Sequence, residues 1–202
     1  MKKHIVIDRE YGSGGREVAR ILSERLDMPF YDGNLLVMAG REYGIDLTTL
    51  QDYDEKGVGG GLLDLGLGRS PDYGSKVNEE PYQVYSALSR LVQQLAAKRP
   101  CIFLGRCAAH ILATEARAPF VHAFIYASRM EDRIERARTV DGVEAGRIEA
   151  YIKRRDRQRS SYNKFFTGKT WGDPKNYHLM LNTSALGYEV TAQAIIAVMS
   201  AK

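Results

Sequence analysis

A glycine-rich turn separates the first apolar stretch of the chain, residues 4–8, from its first amphipathic stretch. The turn reads Tyr11-Gly12-Ser13-Gly14-Gly15, and the apolar residues after it recur at the spacing of one helix face: Val18, Ile21, Leu22 and Leu26. A glycine turn between a strand and a helix N-terminus directs several backbone N–H groups and the positive end of the helix dipole to one point. The turn therefore predicts a phosphate site; the alternative is an ordinary turn in which glycine serves only positive φ angles.

Further apolar stretches alternate with longer charged ones along the chain. Those short enough for strands cover residues 29–32, 101–104, 120–127 and 178–182. Continuous apolar strands that alternate with helices indicate a parallel sheet covered on both faces. We therefore expect an α/β fold, a doubly wound parallel sheet of about five strands, in a single domain of residues 1–202. Ligands in such sheets bind beyond the carboxyl ends of the strands.

Composition narrows the class of protein. No apolar run approaches the roughly 20 residues that cross a bilayer, and the N-terminal run is too short for a signal peptide, so we expect a cytoplasmic protein without a membrane partner. The two cysteines, Cys101 and Cys107, lie in or beside an apolar segment and are expected to be buried thiols. A net charge of +4 favours anionic ligands without singling out nucleic acid.

Two segments differ in composition from the rest. Seven glycines lie between Gly57 and Gly74, which predicts a flexible insert in residues 54–81. Residues 153–159 hold five cations and one acid, and the spacing of four residues puts Arg155 and Arg159 on one helix face. Such a helix is either a solvated face with salt bridges or a surface that binds phosphate.

Several segments are similar, in order, to those of the cytidylate kinases. Residues 7–19 align without a gap with I-D-G-P-S-G-S-G-K-S-T-V-A, and residues 26–33 resemble L-G-x-P-Y-L-D-T-G. The later matches are to a D-G-R-D segment at residues 103–106, a lid-helix R-D-x-x-D-x-R at 154–159 and I-D-T-S-x-L at 181–186. A cytidylate-kinase-like subgroup also carries E-Y-G-S-G-G-R-E and T-G-K-x-W-G-D-P-x-N-Y, found here at residues 10–17 and 167–177. Each match is weak alone, and the series is specific.

This resemblance implies a P-loop fold of the nucleoside monophosphate kinase type and ATP- and Mg²⁺-dependent phosphoryl transfer to a nucleotide, by default CMP or dCMP. It also implies an acceptor-binding insert at residues 33–81, an arginine-rich lid at 140–177, and no nucleic-acid partner. The implied ATP-binding residues are Gly12, Ser13, Gly14, Gly15, Arg16 and Glu17. The implied catalytic residues are Arg16, Arg129, Arg133, Arg155 and Arg159. Asp32 and Arg106 would bind the acceptor.

The turn departs from the P-loop pattern G-x-x-x-x-G-K-[ST] at its functional positions. Gly15 and Arg16 stand where the pattern has lysine and serine or threonine, and Arg9 replaces the leading glycine. Arg16 or Arg9 could take over the lysine charge, because a guanidinium grips phosphate with several donors. The candidate metal ligands are then Asp8, Glu17 and Asp32.

Two rival functions follow from these departures and from the basic lid. One is a nucleotide-binding sensor or regulatory module without turnover, which the missing hydroxyl favours. The other is nucleic-acid binding, which rests on the basic residues of the lid alone.

Overall fold

One parallel sheet of five strands forms the centre of the molecule. The computed structural model describes residues 3–45, 80–143 and 145–200. The strands are β1 (His4–Arg9), β2 (Phe30–Tyr31), β3 (Ile102–Leu104), β4 (Phe120–Tyr126) and β5 (Leu179–Asn182). Their order across the sheet is β2-β3-β1-β4-β5, and every neighbouring pair is parallel. The predicted α/β class and strand number are confirmed.

Helices connect the strands and cover both faces of the sheet. They are α1 (Gly15–Leu26), α2 (Asn34–Tyr43), α3 (Glu80–Lys98), α4 (Ala108–Ile111), α5 (Met130–Thr139), α6 (Ile148–Thr167) and α7 (Thr183–Ser200). A π-helical turn, Leu112–Ala116, extends α4, and 3₁₀ turns lie at Ala145–Arg147 and Pro174–Asn176. Gly187 breaks α7 with φ 69° and ψ 173°.

Successive residues of β1 serve opposite faces of the sheet. Val6 packs with Phe103 against α2, α3 and α4, whereas Ile5 and Ile7 pack against α1 and α7. Both faces of the sheet are therefore buried, which explains why the strand sequences are continuously apolar rather than alternating between apolar and polar residues. The register pairs Val6 with Phe103 and Ile7 with Leu104, so β1 and β3 end at the same edge.

Cys101 and Cys107 are buried free thiols, as predicted. The glycine-rich part of the insert lies outside the described residues, which resume with α3. Residues 140–177 consist mainly of α6, and their role as a lid stays a prediction. Among the described helices, none has both the length and the apolar character of a membrane span.

Candidate phosphate-binding site

A cavity of about 670 Å³ opens at the carboxyl ends of β1, β2 and β3. It is lined by the glycine turn, the residues that follow β2 and β3, and one face of α6. Four carboxylates line it: Asp8, Glu10, Asp32 and Asp141. Six arginines line it as well: Arg9, Arg16, Arg106, Arg136, Arg155 and Arg159. The excess of cations makes the cavity suited to an anionic ligand.

At two positions of the glycine turn the backbone has a left-handed conformation that favours glycine. Gly12 and Gly14 have φ angles of 75° and 78°. A Cβ at Gly12 would lie 2.7 Å from the carbonyl oxygen of Arg133, and one at Gly14 would collide with the ring of Tyr188. The turn is therefore a close-packed cradle whose N–H groups lead directly into the N-terminus of α1.

Ser13 of the turn and Glu17 of α1 are absent from the residues that line the cavity. The Ser13 hydroxyl is buried and donates to the carbonyl oxygen of Glu10 at 2.9 Å, so Ser13 stabilises the turn itself. The Ser13 carbonyl in turn accepts from the Thr183 hydroxyl at 2.7 Å. Glu17 pairs with Arg20 on the outer face of α1, which lowers the pKa of its carboxyl. Glu17 is absent from the residues that line the cavity, so its position does not support the predicted roles in ATP or metal binding.

Arg9 ends β1 and sends its side chain across the site. Its Nη2 lies 3.1 Å from Asp32 Oδ1, and its side chain is 19% exposed. Burial lowers the pKa of this guanidinium, the carboxylates of Asp32 and Asp8 oppose that shift, and the positive charges of Arg106 and Arg155 add to it. Arg9 is therefore a largely buried cation with charges of both signs around it.

Arg155 and Arg159, both on α6, complete the cation cluster. Arg159 Nη1 donates to the carbonyl oxygen of Arg9 at 2.9 Å, and its guanidinium lies 5.4 Å from the centre of the Tyr11 ring. Burial, and then the charge of Arg9, lower the pKa of Arg159 to about 9, so the group stays charged at neutral pH. An anion bound beside Arg9 and Arg159 would offset the repulsion between these neighbouring cations, so the cluster suits an anionic ligand.

Two of the five arginines predicted to be catalytic lie elsewhere. Arg133 is buried: its Nε donates to the carbonyl oxygen of Tyr11 at 2.7 Å, and its Nη2 pairs with Asp156. Arg129 is 64% exposed and pairs with Asp132 at 2.9 Å. Neither side chain lines the cavity, so the position of these two does not support the predicted role. The cavity does receive Arg16, Arg155 and Arg159.

Arg136 and Arg9 line the cavity although neither was among the residues predicted to be catalytic; Arg9 was predicted only as an alternative to Arg16 for the lysine charge. Arg136 lies on α5 three residues after Arg133, lines the cavity and stacks over the Tyr188 ring at 5.4 Å. The sequence holds two signals for these residues. Arg9 follows a strand directly at the ligand edge, and Arg136 shares a helix face with Arg133.

The predicted acceptor residues lie at the ends of β2 and β3. Asp32 bridges two cations, with Oδ1 beside Arg9 and Oδ2 3.4 Å from Arg16 Nε. Arg106 lines the cavity beyond Gly105, and Gly105, Arg106 and Cys107 have φ angles of 70°, 56° and 56°. Left-handed backbone at non-glycine residues costs of order 1–3 kcal/mol each and is concentrated at functional sites.

Two carboxylates in the cavity have the chemistry that Mg²⁺ requires. Asp8 lies 3.0 Å from His122 Nε2 and, like Asp32, lines the cavity. Within the described ranges no group of three or more His, Cys, Asp or Glu residues could hold a metal by itself. Mg²⁺ commonly takes one or two carboxylates plus phosphate oxygens, so Asp8 and Asp32 fit a metal that arrives with a nucleotide.

Known proteins share this fold. The model of the cytidylate kinase-like family matches residues 4–185. The crystal structure of an uncharacterized protein from Eubacterium ventriosum ATCC 27560 matches with a TM-score of 0.72 and 21% identity over 99% of each chain. A gluconokinase from Sinorhizobium meliloti 1021 has a TM-score of 0.55 and 12% identity over 98% of this chain and 92% of its own. A shikimate kinase from Acinetobacter baumannii in complex with shikimate has a TM-score of 0.52 and 13% identity over 98% of this chain and 92% of its own. No curated protein sequence matches the chain.

Proposed function

Because this chain belongs to the cytidylate kinase-like family, we propose that it is an ATP-dependent phosphotransferase that moves the γ-phosphoryl group to a nucleotide, CMP or dCMP by default. One observation carries the proposal beyond family membership. Largely buried cations from β1 and α6 meet beside the glycine turn, where Arg159 donates to the carbonyl oxygen of Arg9 and the charge of Arg9 lowers the pKa of Arg159. The phosphates of ATP would offset the repulsion between these neighbouring cations.

The chain's own groups suit phosphoryl transfer, which depends mainly on positioning and charge neutralisation. The N–H groups of the Gly12 to Gly14 turn and the start of α1 would hold the phosphates of ATP. Arg155 and Arg159 would lie over the transferring phosphoryl group and neutralise charge as it develops. Arg16 stands at the rim of the same site, where its side chain is 73% exposed.

The acceptor would bind on the side of the cavity formed after β2 and β3. Arg106 supplies a cation for an acceptor phosphate, and Asp32 supplies an acceptor for a hydroxyl. Asp8 or Asp32 would hold Mg²⁺, which neutralises charge on the phosphate oxygens when it is bound. The solved kinases of similar fold include a shikimate kinase and a gluconokinase, so small hydroxy acids belong in the set of acceptors to be tested.

A nucleotide sensor without turnover is the second candidate function. Two positions favour it: Gly15 and Arg16 offer neither the lysine nor the hydroxyl that P-loop kinases use on the γ-phosphate and Mg²⁺. A sensor would bind ATP and release no ADP, whatever acceptor is added.

The test is an ADP-release assay on the full chain with MgATP and CMP, dCMP, UMP, AMP, shikimate or gluconate. A kinase gives acceptor-dependent ADP release, and we expect the highest rate with CMP or dCMP. ATP binding without ADP release from any acceptor would refute the transferase and support the sensor.

Matched arginine variants separate catalysis from general charge. Arg155→Ala and Arg159→Ala should each lower kcat by about 100-fold, as loss of a donor to the transition state does elsewhere. Arg138→Ala is the control, because Arg138 is exposed on α5 and pairs only with Glu135 among the contacts described. Its kcat should equal that of the wild type. Equal losses in all three variants would mean that net charge, and not position, matters.

A further inference from the structure

We propose that Arg9, at the end of β1, supplies the cation for the terminal phosphates of the nucleotide, and that glycine at position 15 makes room for it. This inference rests on the proposed function and assigns the residue that replaces the P-loop lysine. The sequence alone leaves Arg9 and Arg16 as alternatives. The geometry separates them.

The glycine at position 15 has no explanation in its own backbone. Its φ is not in the left-handed region, and it is the first residue of α1, where glycine has a lower helix propensity than alanine. The explanation lies in Arg9. A Cβ at position 15 would lie 2.7 Å from Arg9 Cβ and 2.9 Å from Arg9 Cγ, closer than real Cβ atoms come to other atoms.

These two Arg9 atoms lie near the root of a largely buried side chain, so they cannot swing aside as the tip of a flexible side chain would. A lysine at position 15 and the observed arginine at position 9 therefore exclude each other. The departures at positions 9 and 15 are therefore a single exchange. The cation has moved from the first residue of α1, position 15, to the last residue of β1, position 9.

The far end of the Arg9 side chain lies beside Gly105. A Cβ at Gly105 would collide with Arg9 Nη1, but that atom is the movable tip of the side chain, and the φ of 70° at Gly105 already favours glycine. The guanidinium passes Gly105 and reaches Asp32 at 3.1 Å. Arg9 thus has its root against Gly15 and its cation inside the cavity.

Arg16 lacks these restraints. Its side chain is 73% exposed, and its contact with Asp32 is 3.4 Å long. An exposed ion pair of this kind contributes little, and a side chain so free to move is poorly preorganised for phosphate. Arg9 also connects to the second cation of the site, because its carbonyl oxygen accepts from Arg159.

Binding of MgATP and of inorganic pyrophosphate, measured by calorimetry, tests the assignment without any turnover. Pyrophosphate isolates the phosphate contacts from those to the base. Arg9→Ala should raise both Kd values by about tenfold or more, the size expected for lost charge-assisted hydrogen bonds. Arg9→Lys should fall between Arg9→Ala and the wild type. Arg16→Ala should change either Kd by less than about threefold. A loss with Arg16→Ala equal to or larger than that with Arg9→Ala would overturn the assignment.

The exchange itself is tested by rebuilding the usual arrangement. Gly15→Lys alone should lower the unfolding temperature and abolish pyrophosphate binding, because the new side chain meets Arg9. The double variant R9G/G15K should recover the unfolding temperature and part of the binding, which is a positive coupling between the two positions. Wild-type stability and binding in Gly15→Lys would show that the two side chains do not compete for space.

The outcomes for the two proposals differ. If the wild type binds MgATP, the Arg9 variants behave as expected and no acceptor is phosphorylated, the transferase proposal fails and the Arg9 assignment stands. If the wild type binds neither MgATP nor pyrophosphate, both fail. Thermal unfolding of each variant shows whether a loss of binding reflects a loss of fold. If Arg9→Ala does not fold, Arg9→Lys, which keeps the charge, serves as the test variant.

Discussion

The carboxylate of Asp156 accepts a hydrogen bond from the backbone N–H of Tyr11 at 2.7 Å, across 145 residues of sequence. Its other oxygen pairs with Arg133, whose Nε donates to the carbonyl oxygen of the same Tyr11. One carboxylate and one guanidinium thus satisfy both backbone groups of a single residue in the phosphate turn. Helices α5 and α6 hold the turn in place through this pair.

Loss of Asp156 should therefore damage both stability and binding. Asp156→Ala leaves Arg133 buried with one partner fewer, and breaking such a pair costs about 3 kcal/mol. Urea unfolding measures the free energy, and calorimetry with pyrophosphate measures the effect on the turn. Glu149→Ala is the control on the same helix, because its pair with Lys153 is exposed; it should change stability by less than about 0.5 kcal/mol. A small loss in Asp156→Ala would mean that the turn keeps its shape without the α6 contact.

Gly14 is restricted by its conformation and by its neighbour. Its φ is 78°, and a Cβ would collide with the Tyr188 ring. Gly14→Ala should lower stability by roughly 1–3 kcal/mol and weaken pyrophosphate binding, since the strained turn moves its N–H groups. Gly146→Ala is the matched control, because no described atom comes within 4 Å of the added Cβ and its φ is not left-handed. In a Tyr188→Ala background the steric part of the loss should disappear, and only the φ penalty should remain. An equal loss in both backgrounds would show that the ring is not the obstacle.

The fold class and the position of the glycine turn could be predicted from local sequence. Val6 and Ile7 belong to a run whose length and apolar character require a strand buried on both faces, and Gly12 and Gly14 mark where it turns. These features depend on residues within a few positions of one another. The position of the site at the carboxyl edge of the sheet then follows from a general rule for parallel sheets.

The roles of individual arginines could not be predicted from local sequence, because they depend on partners far along the chain. Arg133 and Arg136 are three residues apart on one helix and look equivalent in sequence. Arg133 is buried because Asp156 comes to it from α6, whereas Arg136 reaches the cavity. Arg9 likewise appears in the sequence as a missing glycine; its side chain is directed toward Asp32, with which it pairs and which lies 23 positions later.

His122, on β4, lies between two acceptors. Its Nε2 is 3.0 Å from Asp8 Oδ2, and its Nδ1 is 3.2 Å from the carbonyl oxygen of Asn176. His122→Ala should lower the free energy of unfolding by roughly 1–3 kcal/mol, because the buried Asp8 carboxylate loses one of its hydrogen-bond partners. His122→Gln keeps one donor and should lose less. Urea unfolding is the measurement, with His110→Ala as the control for a half-buried histidine outside this pair. A neutral His122→Ala would mean that Asp8 is held by other groups.

Cys101 should make stability depend on pH in the alkaline range. Burial raises the pKa of its thiol from 9.0 to about 11. The native thiol therefore keeps its proton up to about pH 11, whereas the thiol of the unfolded chain loses it near pH 9. Between these values the unfolded state binds fewer protons, so rising pH favours unfolding, by up to about 1.4 kcal/mol per pH unit for one such group. Urea unfolding at pH 8, 9, 10 and 11 measures the slope.

Cys101→Ala removes this titration and leaves every other group in place. Its stability should fall less steeply than that of the wild type between pH 9 and 11, while the two slopes agree below pH 8. Burial also predicts slow alkylation of Cys101 at pH 8, limited by opening of the fold, because the thiolate is the reactive form. Parallel slopes in the two proteins, together with alkylation of the folded chain as fast as that of the urea-unfolded chain, would show that this thiol is not buried.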